Sequence, residues 1–291
     1  MLLQTDLDTQ VRNIMGMIAL SDLDLARNTN DFLTLGKAYR NIISSLQQRP
    51  TSDQISTNII FGFEESRIFS SYLTKDALSL LDDKKQNNVI EDTLDFEAEE
   101  KAVLIDKALN LLNILDYEYS QLFKTLVTDI FIMPSGCARG GTTSAAVGII
   151  WANPRCYYKV AEVLEFLIHE MTHNALFIDE QFHQHYNYDE ILKKSNWAIS
   201  AILKTPRPLD KVIHSIIVAT EVVLFRDKLL GHPERPLVHP PTNMLIDQAL
   251  ISIDSVKTII STSNFKALIS PRVNYLLQNA EEKLSKIKRL N

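Results

Sequence analysis

Phe166-Leu167-Ile168-His169-Glu170-Met171-Thr172-His173-Asn174-Ala175-Leu176-Phe177 places two histidines four residues apart, with a glutamate beside the first. On a helix that spacing sets both imidazoles on one face, one turn apart, where they can chelate a single divalent metal ion. By chance the H-E-x-x-H pattern arises in roughly one chain of this length per hundred, so its surroundings have to support it. Val163, Leu164, Phe166, Leu167 and Ile168 lead into the motif, and Ala175, Leu176, Phe177 and Ile178 follow. Such an apolar run predicts a central helix. Two imidazoles and a carboxylate inside it need partners, which a metal ion supplies. A pair of core histidines satisfied by neighbouring carbonyls is the competing reading.

Just upstream, Ile130-Phe131-Ile132-Met133 and Val147-Gly148-Ile149-Ile150-Trp151 are short apolar runs of strand length. Between them Pro134-Ser135-Gly136 and Gly140-Gly141-Thr142-Thr143-Ser144-Ala145 lack the Gly-Lys-Ser/Thr ending of a phosphate-binding loop, and read as a hairpin or an active-site loop. Downstream, Pro206 and Pro208 end the preceding segment and start a helix from about Leu209 to Leu230, closed by Gly231. It carries His214, Val218, Glu221, Val222 and Phe225 on one stripe. A proline-rich loop, His232 to Pro241, precedes helices at about Thr242–Ser261 and Pro271–Leu290.

Towards the start, apolar spacing from about Asp6 to Gln48 is helical, and Arg49-Pro50-Thr51-Ser52-Asp53 is a break. The aromatic-rich stretch from Gln54 to Leu81 reads as helix, although Asn58-Ile59-Ile60-Phe61-Gly62-Phe63 also suits a strand. Asp82 to Asp95 is a polar loop. Glu97 to Leu126 reads as one long helix, with Val103, Ile105, Leu109 and Leu112 inward and Glu99, Glu100, Lys101 and Asp106 on the wet side. The expected fold is mainly α with a small β element (α+β), its metal-binding central helix in a zincin-like local arrangement. Residues 1–128 form an N-terminal helical region, 129–232 the metal-binding core and 233–291 a C-terminal helical region, together one compact domain.

At 291 residues, 45% hydrophobic and 23% charged, the composition is that of a soluble globular enzyme. The formal charge of −6, with no large basic block, argues against a nucleic-acid partner. Only two cysteines, Cys137 and Cys156, occur, which suits a reducing cytoplasm. The first residues lack the basic and apolar regions of a secretory signal, and the longest apolar candidate for a membrane span, Ile216 to Phe225, is interrupted by Glu221. A cytoplasmic protein with no membrane partner is expected.

Two histidines hold a metal weakly, so a third ligand matters. Asp179 stands six residues past His173, but that geometry needs a turn where this chain has Leu176, which continues the helix. Glu221 is the natural glutamate from the next helix, though Phe225 replaces the aspartate that accompanies it in thermolysin-like enzymes. His214, seven residues before Glu221, shares its face, so either can complete the site with the other behind it. His183, His185, His232 and His239 read as surface or loop residues.

His169-Glu170-x-x-His173-Asn174, followed by Trp197 and then Arg207-Pro208-Leu209-x-x-Val212-Ile213-His214-Ser215, resembles the H-E-x-x-H peptide-modification proteins of bacterial clusters for ribosomally made peptides. The likeness spans about Gly141 to Leu230. It implies Fe(II)- and 2-oxoglutarate-dependent β-hydroxylation of a precursor peptide, with His169, His173 and the downstream His214 holding iron. The far carboxylate of 2-oxoglutarate then needs a cation, for which Arg207 and Arg226 are the nearest in sequence and Arg139 lies in the strand loop. Glu170 would orient ligands or substrate.

The alternative is a Zn(II) metallopeptidase in which Glu170 is the catalytic base and the strand Val147 to Trp151 pairs with an extended substrate. A third reading is a catalytically silent helical binding protein, for which Glu170 would be dispensable.

Overall fold

Ile130, Phe131 and Ile132 on one side, and Ile149, Ile150 and Trp151 on the other, form two adjacent parallel strands, β2 (Asp129–Ile132) and β4 (Ile149–Ala152), in register from Asp129↔Ile149 to Ile132↔Ala152. Every residue of both is buried, as strands covered on both faces require. β1 (Asn58–Ile60) adds parallel to the far side of β2, and β3 (Gly140–Gly141) pairs antiparallel with β4, giving the order β1-β2-β4-β3.

The computed structural model describes residues 2–52, 54–74, 89–262 and 268–289. Two compact units emerge, one of Leu7–Ile178 and one of Met1–Asp6 with Asp179–Asn291. The fold is mainly helical with small sheets. No described helix is long and apolar enough to cross a membrane.

In the unit Leu7–Ile178, α1 (Leu7–Ser21), α2 (Leu23–Arg27) and α3 (Phe32–Gln47) occupy the stretch read as helical. Asp22 and Asp31 cap α2 and α3 through their carboxylates. Of the two readings of the stretch from Gln54, the strand holds at its start and the helix after it. Asn58–Ile60 is β1, and helix begins only at α4 (Phe63–Thr74). The rest of that expectation, and most of the polar loop, fall at 75–88, outside the described residues.

The single long helix expected from Glu97 is two helices, α5 (Ala98–Leu115) and α6 (Tyr117–Leu126). Between them Asp116 is extended, at φ −156° and ψ 102°, and its carboxylate accepts from the Tyr119 N–H at 3.0 Å, a cap that competes with continued helix. Lys101, placed on the wet side by periodicity, is 3% exposed; its ammonium donates to Asp95 at 2.7 Å and to Asn153 at 3.0 Å. Val103, read as inward, is exposed. The interhelix crossover between β1 and β2 is what their parallel pairing demands.

Phe131, Ile149 and Trp151 join Ile60, Met133 and Ala146 in one core cluster, and the Trp151 indole N–H donates to the Met133 carbonyl at 2.9 Å. After β4 the chain enters α7 (Val160–His183), which carries the motif. Gly140, at φ +149°, is the point of closest approach: a Cβ there would collide with the Phe166 ring and the Trp151 carbonyl oxygen. Gly140→Ala is expected to lower stability by roughly 3 kcal/mol or more. Thermal denaturation of that variant, with Gly141→Ala as control, checks this.

In the other unit, α9 (Leu209–Phe225) is buried along almost its whole length and packs against α10 (Thr242–Thr262) and α11 (Pro271–Lys286). It follows α8 (Tyr188–Ile191) and ends in a π-helical turn, Arg226–Leu230, closed by Gly231 at φ 76°. Periodicity missed the hairpin of β5 (Ala198–Ser200) and β6 (Thr205–Arg207). Ser255 and Ser252 of α10 hold it by accepting from the Ile199 and Ala201 N–H groups at 2.8 and 3.0 Å.

Candidate metal centre

α7 is buried from Val163 to Ile178 except at His169, His173 and Phe177, which are partly exposed. These three recur every four residues, so they form one accessible stripe on an otherwise enclosed helix. Histidines turned inward to satisfy core carbonyls would not lie on the one face open to solvent. The imidazole centroids stand 5.0 Å apart with the planes at 64°. Two imidazoles that share one ion at ordinary metal–nitrogen distances have centroids roughly 5 Å apart, so the pair fits a common ion. The His173 ring stacks on Phe177 at 6.3 Å and 24°.

Glu170 is 5% exposed, its carboxylate 3.9 Å from His169 Nε2. Burial pushes its carboxyl up to about 8.

Asn174 fixes the helix to the strand loops. Its side-chain carbonyl accepts from the Gly148 N–H at 2.6 Å, and its amide donates to Thr142 Oγ1 at 3.2 Å and to the Glu170 carbonyl at 3.0 Å. It stands beside His173 in the sequence, yet only the fold shows this duty; a buried amide in an apolar helix was the available signal. Asn174→Ala leaves the Gly148 N–H without that acceptor and is expected to cost about 1–3 kcal/mol. A fall in Tm of the unit Leu7–Ile178, followed by circular dichroism, checks it.

The other candidates lie in the second unit. His214, on α9, is 8% exposed. Glu221, on the same helix, is fully buried, and its carboxylate accepts from the N–H groups of Gln4 and Thr5 and from Thr5 Oγ1 at 2.9 Å. Burial raises its carboxyl, and those donors pull it partly back. A carboxylate so engaged is a poor third ligand.

Asp179 is engaged as well. α7 runs unbroken through Leu176, and the Asp179 carboxylate receives the Gln4 amide at 2.9 Å, the Arg272 guanidinium at 2.5–3.2 Å and His185 Nε2 at 2.5 Å. Burial alone would raise this carboxyl, but the bonds from His185 and Arg272 outweigh it and hold it well below the usual range. His185, read as a surface or loop residue, does lie in the loop after α7 but is 1% exposed, because its partner is this inward carboxylate.

Arg226 is fully buried and donates to the Pro240 carbonyl at 2.8 Å and to Thr242 Oγ1 at 3.3 Å, tying the proline-rich loop to α9. A guanidinium so placed has less to offer a co-substrate. Arg207, at the end of β6, is half-buried, and the exposed Arg139 lies over the Tyr158 ring at 5.4 Å. The structure thus brings together His169, His173 and Glu170. Among the described residues, no group of three or more His, Cys, Asp or Glu side chains is gathered to hold a metal ion.

The expected pairing of Val147–Trp151 with a substrate also needs correction. β4 lies inside the sheet, bonded to β2 along one edge and covered on the other by β3 and by Thr142 Oγ1, which donates to the Ile149 carbonyl at 2.9 Å. Comparison of the sequence with models of known protein families finds no match, and comparison with curated proteins finds none either.

Proposed function

We propose that this chain is a metal-dependent oxidoreductase, an Fe(II)- and 2-oxoglutarate-dependent oxygenase that hydroxylates a side chain of a ribosomally made peptide at its β-carbon in the cytoplasm. The observation that carries the metal half of this reading is the accessible stripe on which His169 and His173 stand 5.0 Å apart. The resemblance around His169 to His173 and Arg207 to Ser215 carries the choice of reaction. His169 and His173 would hold the ion; His214, the third ligand that the resemblance implies, belongs to the other unit. Iron, when bound, would activate dioxygen, the oxidant: one oxygen atom enters the peptide C–H bond and the other the succinate formed from 2-oxoglutarate with loss of carbon dioxide.

The chain's own residues have narrower duties. Asn174 sets the rotation of α7 and so the direction of both imidazoles. Phe177 limits the mobility of the His173 ring by stacking. Glu170, held beside His169, orients a ligand or substrate. Arg207 is favoured over Arg226 as the cation for the far carboxylate, since Arg226 serves the loop. Arg139, in the same unit as the histidine pair, is the next choice.

The second reading, a zinc peptidase, draws support from Glu170, whose raised carboxyl beside His169 suits a general base. β4, with no open edge, offers a substrate strand no pairing under either reading, so the resemblance alone sets their order. Incubation with Fe(II), 2-oxoglutarate and air tests the choice. Succinate formed by the intact chain and not by His169→Ala supports the oxygenase. A sample that makes no succinate but cleaves peptides when loaded with zinc supports the peptidase.

A further inference from the structure

β4 is closed on both sides, but β3 is paired on one side alone. Gly141 pairs with Trp151, and the Arg139 carbonyl accepts from the Asn153 N–H at 2.7 Å. The alternation of an antiparallel ladder then turns the N–H and C=O groups of Gly140 and Thr142 away from β4. Among the described residues none of these four groups has a hydrogen-bond partner, and the stretch 140–142 is partly exposed. An edge of this kind is a template for another strand. Two contacts fix where it lies. Gly140 sits against the Phe166 ring, and Thr142 Oγ1 accepts from the Asn174 amide at 3.2 Å. Phe166 and Asn174 bracket His169 and His173 on α7, so the open edge runs beside the histidine pair, within the one unit Leu7–Ile178. β1, the other edge strand, stands at the far end of the sheet. Arg139, which leads into β3, is exposed, lies over the Tyr158 ring and has no carboxylate partner among the described residues.

We propose that this edge is the docking site of an extended peptide substrate, which adds as a strand along Gly140 and Thr142 and carries an acidic residue drawn to Arg139. The proposal rests on the reading of the chain as an enzyme that acts on a peptide, and it holds for oxygenase and peptidase alike. Main-chain bonds to the edge supply affinity with little regard to sequence, and the charge of Arg139 supplies the preference. With Arg207 favoured for the co-substrate carboxylate, Arg139 is left for the peptide. A peptide residue opposite Gly140 lies beside the part of α7 that carries both imidazoles, which is where a reacting side chain belongs.

The test selects binders to the full chain from a displayed library of random peptides and measures the enriched sequences, labelled with fluorescein, by anisotropy. Enrichment in Asp and Glu is expected, with weaker binding to Arg139→Ala. Thr142→Pro removes an outward N–H and should weaken binding by about tenfold or more, whereas Thr142→Ala, which loses the same side-chain bonds but keeps that N–H, should bind within about threefold of the unaltered chain. N-methylation of the peptide should be harmful at alternate residues only, the period of a strand. If Thr142→Pro does not fold, the N-methyl series on the unaltered chain decides alone. A library that yields no binder overturns the proposal, as do binders that tolerate N-methylation throughout or lose affinity equally with Thr142→Pro and Thr142→Ala. Peptides that bind with the expected alternation but yield no succinate with Fe(II) and 2-oxoglutarate support the edge and count against the oxygenase reading instead.

Discussion

Asp179→Ala is expected to lower the stability of the unit that contains it by about 3–5 kcal/mol, the cost of removing one member of a buried charged cluster. Asp179 is fully buried, Arg272 is 20% exposed and His185 1% exposed, so deleting the carboxylate strands a guanidinium and an imidazole where water reaches them poorly. It also removes the acceptor of the Gln4 amide. A transition on the order of 10 °C lower, monitored by calorimetry, is the expected readout.

The same cluster sets a pH dependence. The folded-state pKa of Asp179 is depressed, so its contribution is present above the unfolded value near 4 and disappears as pH falls through the folded one. Asp179→Asn, which does not titrate, should differ most from the unaltered chain at neutral pH, with the gap closing as pH falls below about 4. A gap that stays constant down to pH 2 would mean the carboxylate is not the group being lost.

His173→Ala and His169→Ala are each expected to weaken binding of a divalent ion by more than about a hundredfold, because either change reduces a chelating pair to one imidazole. Folding should be little affected. The His169 side chain is 29% exposed, and substitutions on such a face usually shift stability by under about 1 kcal/mol. Glu170→Gln, by contrast, should keep the ion, since both imidazoles of the chelating pair remain. Titration calorimetry with Mn(II) or Zn(II), alongside Tm for each variant, separates loss of a ligand from loss of the fold.

Much of this was readable from residues because the signals were local. The 3.6-residue rhythm and the bounding Pro208 and Gly231 mark α9, and the apolar runs at Ile130 and Ile149 mark the sheet centre. The continuation of α7 past Leu176, argued from the missing turn residue, is what the structure has. What escaped depends on contacts distant in sequence. Asp116 reads as an ordinary polar position on a helix until its carboxylate is seen capping the next one. Lys101 looks solvated until Asp95 and Asn153 surround its ammonium. The hairpin of β5 and β6 has too few residues for an alternating pattern to register. Glu221 and Asp179 drew attention as ligands because acidic groups near the motif attract that reading. Their carboxylates instead serve Gln4 and Thr5, and Arg272 and His185, partners that no spacing rule reveals.

The claim on which the rest stands is that His169 and His173 hold a catalytic iron. Loading the metal-free protein with Fe(II) under argon, adding 2-oxoglutarate and recording the visible spectrum tests it most directly. A charge-transfer band in the unaltered chain, absent from His173→Ala at unchanged Tm, is the predicted result. No band in the unaltered chain, or a band that persists when both histidines are replaced, would contradict it.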